Sequence, residues 1–525
     1  MRWLIALALV LLASSVEAAD KYVTTTGGGS FNGSDWNNAC NGFTGSCAAG
    51  SALVRGDTYY VADGDYSSDS SSVVGVSFVE PLSGTTRITI KKATVASHGT
   101  STGWSDTMGD GEAIFDTISF GTGYWTIDGQ VGAISAAAAA AGSAPETTFG
   151  FRITTYNCAP GTQNVQSNIL MGAAGASIDL HYVNVEGCGT AVLEDGTAGP
   201  AWPTTCTPTG GCGLANDGIN DNNAGAATTD RNWSHLYIHD FTRNPITIND
   251  VDDVLMEHLT IARVYSSDLD IHGQCMQFTR PPMDNITVRY STFIDVAGTA
   301  CLSMLGGAEG TYSNIYFYGN LLFTSAGVSA GVNCGSVGQF LYSPGAVYGR
   351  EHNSGTINYN GVYVYNNTFY ETACPETFIS NVGSTTSTNI VNQNNIYVNS
   401  VWQFAPLEVD TNGYNYYYNN SGGNVPSGEN NQQNGSGDPF VNAAAYNFAL
   451  SADTNAGTTL ASPFDTDPLG VTRAVDGTWT RGAFEFDSGS DAAVGTVTIT
   501  FTVEGVGSST SGSSTGPIRI RRPIF

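Results

Sequence analysis

Residues 285–293 read Asn-Ile-Thr-Val-Arg-Tyr-Ser-Thr-Phe, and residues 314–323 read Asn-Ile-Tyr-Phe-Tyr-Gly-Asn-Leu-Leu-Phe. The phrase returns as Gly-Val-Tyr-Val-Tyr-Asn-Asn-Thr-Phe at 361–369 and Asn-Ile-Val-Asn-Gln-Asn-Asn-Ile-Tyr at 389–397. Each copy is a short alternating strand, a small polar residue, then one more large apolar residue. One such unit cannot bury its apolar face alone, so repetition at this period implies stacked coils.

Working outward, strand starts are expected near Ile178, Leu236, Val254, Ile286, Ile315, Val362 and Ile390. Val254, Ile286 and Ile315 are 32 and 29 residues apart, and Val362 and Ile390 are 28 apart. That spacing fits three short strands and their turns per coil. The longer step from Ile315 to Val362 implies an insertion within 324–360. Alternate residues should enter a narrow core and stack on their equivalents in neighbouring coils. Asn320, Asn367 and Asn395 share one turn position, with Ser291 replacing Asn in the coil before. Their expected role is structural, because turn Asn satisfies backbone groups.

The N-terminal region continues the theme. Strands are expected at Lys21-Tyr22-Val23, within 55–66, at 87–91 and at 124–129, with residues 20–66 as a capping module. Composition agrees: 64 Gly, 25 Tyr and 23 Phe, with only 12% charged residues. The alanine run at 136–141 suits a loop insertion.

Met1-Arg2-Trp3, an apolar run and the small residues ending Val16-Glu17-Ala18-Ala19 form a signal peptide over residues 1–19. The run is too short to span a membrane. The mature chain is therefore expected to be secreted, with no membrane insertion, and monomeric. A formal charge of −28 disfavours nucleic acid and anionic membranes as partners. Ten cysteines in an exported chain suggest disulfides, with Cys40–Cys47 and Cys206–Cys212 the expected pairs. The other six cannot be paired from sequence.

Asp438-Pro439-Phe440, Asn447-Phe448-Ala449-Leu450, Arg473 and Arg481-Gly482-Ala483-Phe484-Glu485-Phe486 resemble the closing coil of a known group. Together with the repeats and the 55–66 and 88–100 stretches, they make residues 20–487 resemble the secreted bacterial right-handed parallel β-helix proteins of the pectate-lyase-like superfamily. The resemblance implies an all-β, right-handed parallel β-helix solenoid. Residues 488–525 would follow as a C-terminal β/linker extension with a basic tail.

Candidate chemistry concentrates in 216–280. In the strand ending Gly273-Gln274, alternation places Asp268, Asp270, His272 and Gln274 on one outward face. Two chemistries suit these residues. The first is β-elimination from a uronic-acid polysaccharide, with Ca2+ neutralising the substrate carboxylate. Asp217, Asp221, Asp250, Asp252 and Asp253 are candidate ligands for that hard ion, and they also suit ordinary turns. His272 is a candidate base, with Asp268 and Asp270 beside it. The resemblance adds Arg243 or Arg280, since some lyases of this kind use Arg. A Lys base is disfavoured, because Lys21, Lys91 and Lys92 are the chain's only lysines. The second chemistry is glycoside hydrolysis by two carboxylates. Tyr416 and Tyr418 could stack on sugar rings or simply pack on a coil. The leading expectation is recognition and lyase-type cleavage of an extracellular polysaccharide. A non-catalytic surface, adhesion or structural solenoid stays open as the alternative.

Overall fold

The computed structural model describes residues 18–67, 75–131, 149–154, 166–172, 177–187, 216–222, 230–241, 243–264, 274–296, 301–305, 309–324, 347–350, 356–372, 375, 377–379, 386–402 and 409–486. One coil shows the plan. Arg231–Ser234 lies in a first sheet, A. His235 adopts φ +54 and turns the chain into Tyr237–Phe241 of sheet B. Ile246–Asn249 follows in sheet C. Asp250 and Asp253, also at positive φ, return the chain to sheet A at Val254–Glu257. Among the described residues, sheets A, B and C have 13, 12 and 9 strands, and all their pairings are parallel between neighbouring coils. The chain is a parallel β-helix, with three strands per coil as the spacing predicts.

The core follows from alternation. Ile127, Leu180, Trp233, Met256, Val288, Phe317 and Val364 are in register along sheet A and buried. Val364 is followed in the ladder by Asn392, and the interior becomes polar toward the C-terminal end. There Asn412, Asn415 and Tyr417 hydrogen-bond Glu429. The strand expected near Leu236 is Tyr237–Phe241 of sheet B, while Arg231 is the sheet A residue aligned with Val254. The left-handed turn at His235 falls between them.

The repeated small polar residue is a buried ladder at the corner from sheet A to sheet B. Ser291 Oγ accepts the Leu259 N–H, and Asn320 Oδ1 accepts that of Ser291. Asn367, Asn395 and Asn415 continue the series upward. Asn367 also donates to the Phe317 carbonyl and to Asn395 Oδ1. Asn367→Ala would strand several buried groups, each costing about 1–3 kcal/mol. A loss of at least about 2 kcal/mol is expected in urea unfolding. An unchanged midpoint would remove the ladder's structural role.

The strands expected near the N-terminus belong to the same stack. Asp20–Thr24, Thr58–Val61, Ile88–Lys92 and Trp125–Asp128 are consecutive in sheet A. Cys40 and Cys47 form a disulfide there. At the other end, Phe440, Phe448, Leu450, Ala483 and Phe484 cover the outer face of sheet B over Leu321, Phe323, Tyr370 and Ile396. Arg481 is buried and donates to the carbonyls of Asn415, Asn431 and Ala456. The segment that resembles a closing coil therefore fastens the last coils. The long step after Ile315 holds residues 325–346, between Leu321–Phe323 of sheet B and Val347–Arg350 of sheet C. The expected signal peptide, the alanine run, Cys206–Cys212 and the C-terminal extension lie outside the described residues, apart from Ala18 and Ala19. No described helix is long and apolar enough to cross a membrane.

Candidate functional site

The outer faces of the three sheets differ in chemistry. On sheet A, Lys91, Asp128, His181, Ser234, Glu257 and Arg289 lie in register. They largely satisfy one another: Glu257 lies 2.7 Å from Arg289, and His181 lies 2.7 Å from Ser234. On sheet B, Arg263 and His239 clasp Asp240, and the Arg263 guanidinium helps hold that carboxyl well below the usual range despite burial. Further along, the C-terminal segment covers sheet B.

Sheet C differs because its outward positions are mostly neutral hydrogen-bonding groups. Ile246, Ile248, Met276 and Phe278 point inward. The residues between them face out. Ser77, Ser119, Asn220, Thr247, Gln277 and Ser303 form one row along the helix axis, broken once by Leu170. Asn222, Asn249 and Thr279 form a second row beside it. Successive coils place these groups about 4.8 Å apart.

A charged pair stands at the leading edge of this face. Asp217, Asn244 and Gln274 each precede an in-register core residue (Ile219, Ile246 and Met276) by two positions. Asp217 Oδ2 lies 3.4 Å from Arg243 Nη1, and Oδ1 accepts the Asn244 N–H at 3.4 Å. The Asn244 amide donates to Thr247 Oγ1 and Gln277 Oε1, and its Oδ1 accepts the Gln274 N–H. The pair is thus joined to the neutral row through one residue, Asn244, by its backbone N–H on one side and its amide on the other. Asp217 is 2% exposed, while the Arg243 side chain is 34% exposed. Burial pushes the Asp217 carboxyl up to about 6, with Arg243 opposing. A carboxyl titrating there can carry or accept a proton near neutral pH. The partly exposed Arg243 guanidinium beside Asp217 suits Arg243 to binding an anionic group.

The other candidates are placed elsewhere. Asp221, only four residues from Asp217, is committed to Arg231: Oδ2 lies 2.7 Å from Nε, and both side chains are fully buried. A carboxylate so enclosed is not presented to a bound ion. Asp252 Oδ1 accepts the Asp284 N–H at 2.7 Å, and Asp253 Oδ1 accepts the Asn285 amide at 2.7 Å. Burial raises Asp252, and Asp284, Asp253 and Asp250 raise it further. Asp250, Asp252 and Asp253 form the return turn, so the five aspartates do not converge. Among the described residues no group of three or more His, Cys, Asp or Glu is placed to hold a metal. The described aspartates therefore do not fit a Ca2+ site.

Arg280 is exposed at the trailing end of Met276–Thr279, a strand's length from the edge that holds Arg243. Asp268, Asp270 and His272 lie outside the described residues, while Gln274 is buried at the leading edge. Tyr416 and Tyr418 lie on sheet B. The Tyr416 hydroxyl donates to the Gly437 carbonyl at 2.7 Å, and both rings join the cluster beneath the C-terminal segment. Neither ring lines sheet C.

His181, His235, His239 and His258, close together in the sequence, are divided among sheet A, sheet B and the corner between them. His235 and His258 stack 4.9 Å apart between Tyr182 and Tyr290 at the corner of sheets A and B. Burial pushes His235 down to about 3, so it stays neutral at ordinary pH. Sequence reasoning missed Asn244 and the neutral row. The available signal was the polar residue between each pair of apolar ones in Ile246–Asn249 and Met276–Thr279.

No family model matches the chain, and no curated protein matches it. Among solved structures, the crystal structure of pectate lyase Pel9A is similar over 90% of this chain and 97% of its own, at 15% identity and a TM-score of 0.38. Fold assignment rests on the strand register above.

Proposed function

We propose that the outer face of sheet C binds an extracellular polysaccharide, and that Asp217 and Arg243 act on the bound chain by lyase-type cleavage. The observation that carries this reading is the linkage of the Asp217–Arg243 pair, through Asn244, to an axial row of amides and hydroxyls. Its partly exposed members, Ser77, Ser119, Asn220 and Gln277, offer donors and acceptors to sugar hydroxyls, while Thr247 and Ser303 are buried. Arg243, half-exposed, would pair with a uronate carboxylate. Asp217, as carboxylate, would take the proton α to it while the β-linked oxygen departs. The described carboxylates provide no Ca2+ ligand set, so no step is assigned to that ion. Export from the cell belongs to the same reading, and the Cys40–Cys47 disulfide is compatible with it.

A non-catalytic binding solenoid is the second reading. It is favoured by the near-complete burial of Asp217, at 2% exposure. Purified protein should be screened against uronate and neutral glycans for binding, for ultraviolet absorbance of unsaturated uronate and for new reducing ends, with Ca2+ and with chelator. Unsaturated product supports elimination. Loss of product in chelator would add Ca2+ to the mechanism. Binding without product supports the second reading, and neither binding nor product would sink both.

A further inference from the structure

Cys275 and Cys301 lie in consecutive coils. They immediately precede Met276 and Leu302, which are in register in sheet C, and the Met276 N–H donates to the Cys301 carbonyl at 2.8 Å. In-register parallel neighbours have Cα atoms about 4.8 Å apart, inside the span of about 4.4–6.8 Å that a disulfide bridges. Both side chains are fully buried in the main core. The two thiols are free and in hydrogen-bond contact, and burial together with that neighbour pushes the Cys301 thiol up. The same chain already carries one disulfide, Cys40–Cys47.

We propose that Cys275 and Cys301 are a redox pair that oxidises to a coil-to-coil disulfide. The position gives the bond a consequence. Gln274, adjacent to Cys275, donates its N–H to Asn244 at the edge that holds Asp217. The bond would staple that edge to the next coil. In the reaction two S–H bonds break and one S–S bond forms. A low-molecular-weight or enzyme disulfide is the oxidant. One cysteine thiolate attacks it, releasing one thiol and leaving a mixed disulfide. The second cysteine displaces the other thiol. Two electrons and two protons thus pass to the oxidant, which leaves as two thiols. Because both cysteines are enclosed in the finished fold, exchange belongs to the stage before the coils close.

The test uses the full chain purified without reductant, alkylated in denaturant and digested after Arg and Glu. Cleavage after Arg263, Arg289 and Glu309 isolates Cys275 in 264–289 and Cys301 in 290–309, apart from Cys334. The expected result is one linked pair of these peptides in most molecules, two hydrogens lighter than the sum and split by reductant. Separate alkylation of both cysteines, or linkage of either to another cysteine, overturns the proposal. A Cys275→Ala, Cys301→Ala double variant supplies a second readout. Reductant should lower the wild-type melting temperature more than the variant's, because the Cys40–Cys47 contribution is common to both. Equal shifts would also overturn it.

Discussion

Asp217→Asn is expected to lower turnover by about 10²- to 10⁴-fold, the usual contribution of a positioned acid–base group. Polysaccharide binding should persist, because the neutral row on sheet C is untouched. The same variant should be more stable than wild type at alkaline pH. The fold raises the Asp217 carboxyl from 3.8 to about 6, chiefly through burial. Between these values the native state holds a proton that the unfolded chain has released. Stabilisation present below about pH 4 is therefore lost as pH rises through about 6. For this 2% exposed group the loss is about 3 kcal/mol by pH 8. Asn, which never ionises, escapes it. Denaturant titrations at pH 4 and pH 8 would show the variant's advantage growing with pH. If Asp217 acts as a base, wild-type kcat/KM should climb toward a plateau above about pH 6. Full turnover in the Asn variant would remove Asp217 from the mechanism.

Asp221→Ala should be costly for a different reason. It leaves the fully buried Arg231 guanidinium without the carboxylate that lies 2.7 Å away. Breaking a buried pair from one side costs about 3–5 kcal/mol. Among the described residues Arg231 Nη1 already lacks a hydrogen-bond partner, so they have little to offer in compensation. Replacing both partners, as in Asp221→Leu with Arg231→Met, should be near neutral or stabilising, because both desolvation costs disappear together. Equilibrium unfolding of the single and double variants separates these cases. A single variant within about 1 kcal/mol of wild type would contradict the enclosed pair.

The contrast between Asp217 and Asp221 shows where sequence reading stops. Four residues apart on one strand, both sit in polar, turn-like phrases, and both suit a metal or a turn. One meets Arg243 at the leading edge of sheet C; the other meets Arg231 inside the coil. Which arginine each finds depends on how coils register, and that is settled between strands distant in sequence. The histidines behave similarly. Although close in the chain, they part in the fold, where positive-φ corner turns stack His235 on His258 and send His239 to sheet B.

Alternation and repetition in the sequence determined the parallel β-helix, its three-strand coil and the structural Asn ladder. These are local, periodic properties, and each coil repeats the same burial problem. The tertiary structure alone decided which outer face carries the candidate site. The later coils of sheet B are covered by residues 440–484, which follow the stacked coils in the chain, and sheet A neutralises its own charges. Sheet C is left with a neutral row and one pair. Such choices arise from contacts between coils and between distant segments, which the pattern within any single coil does not encode.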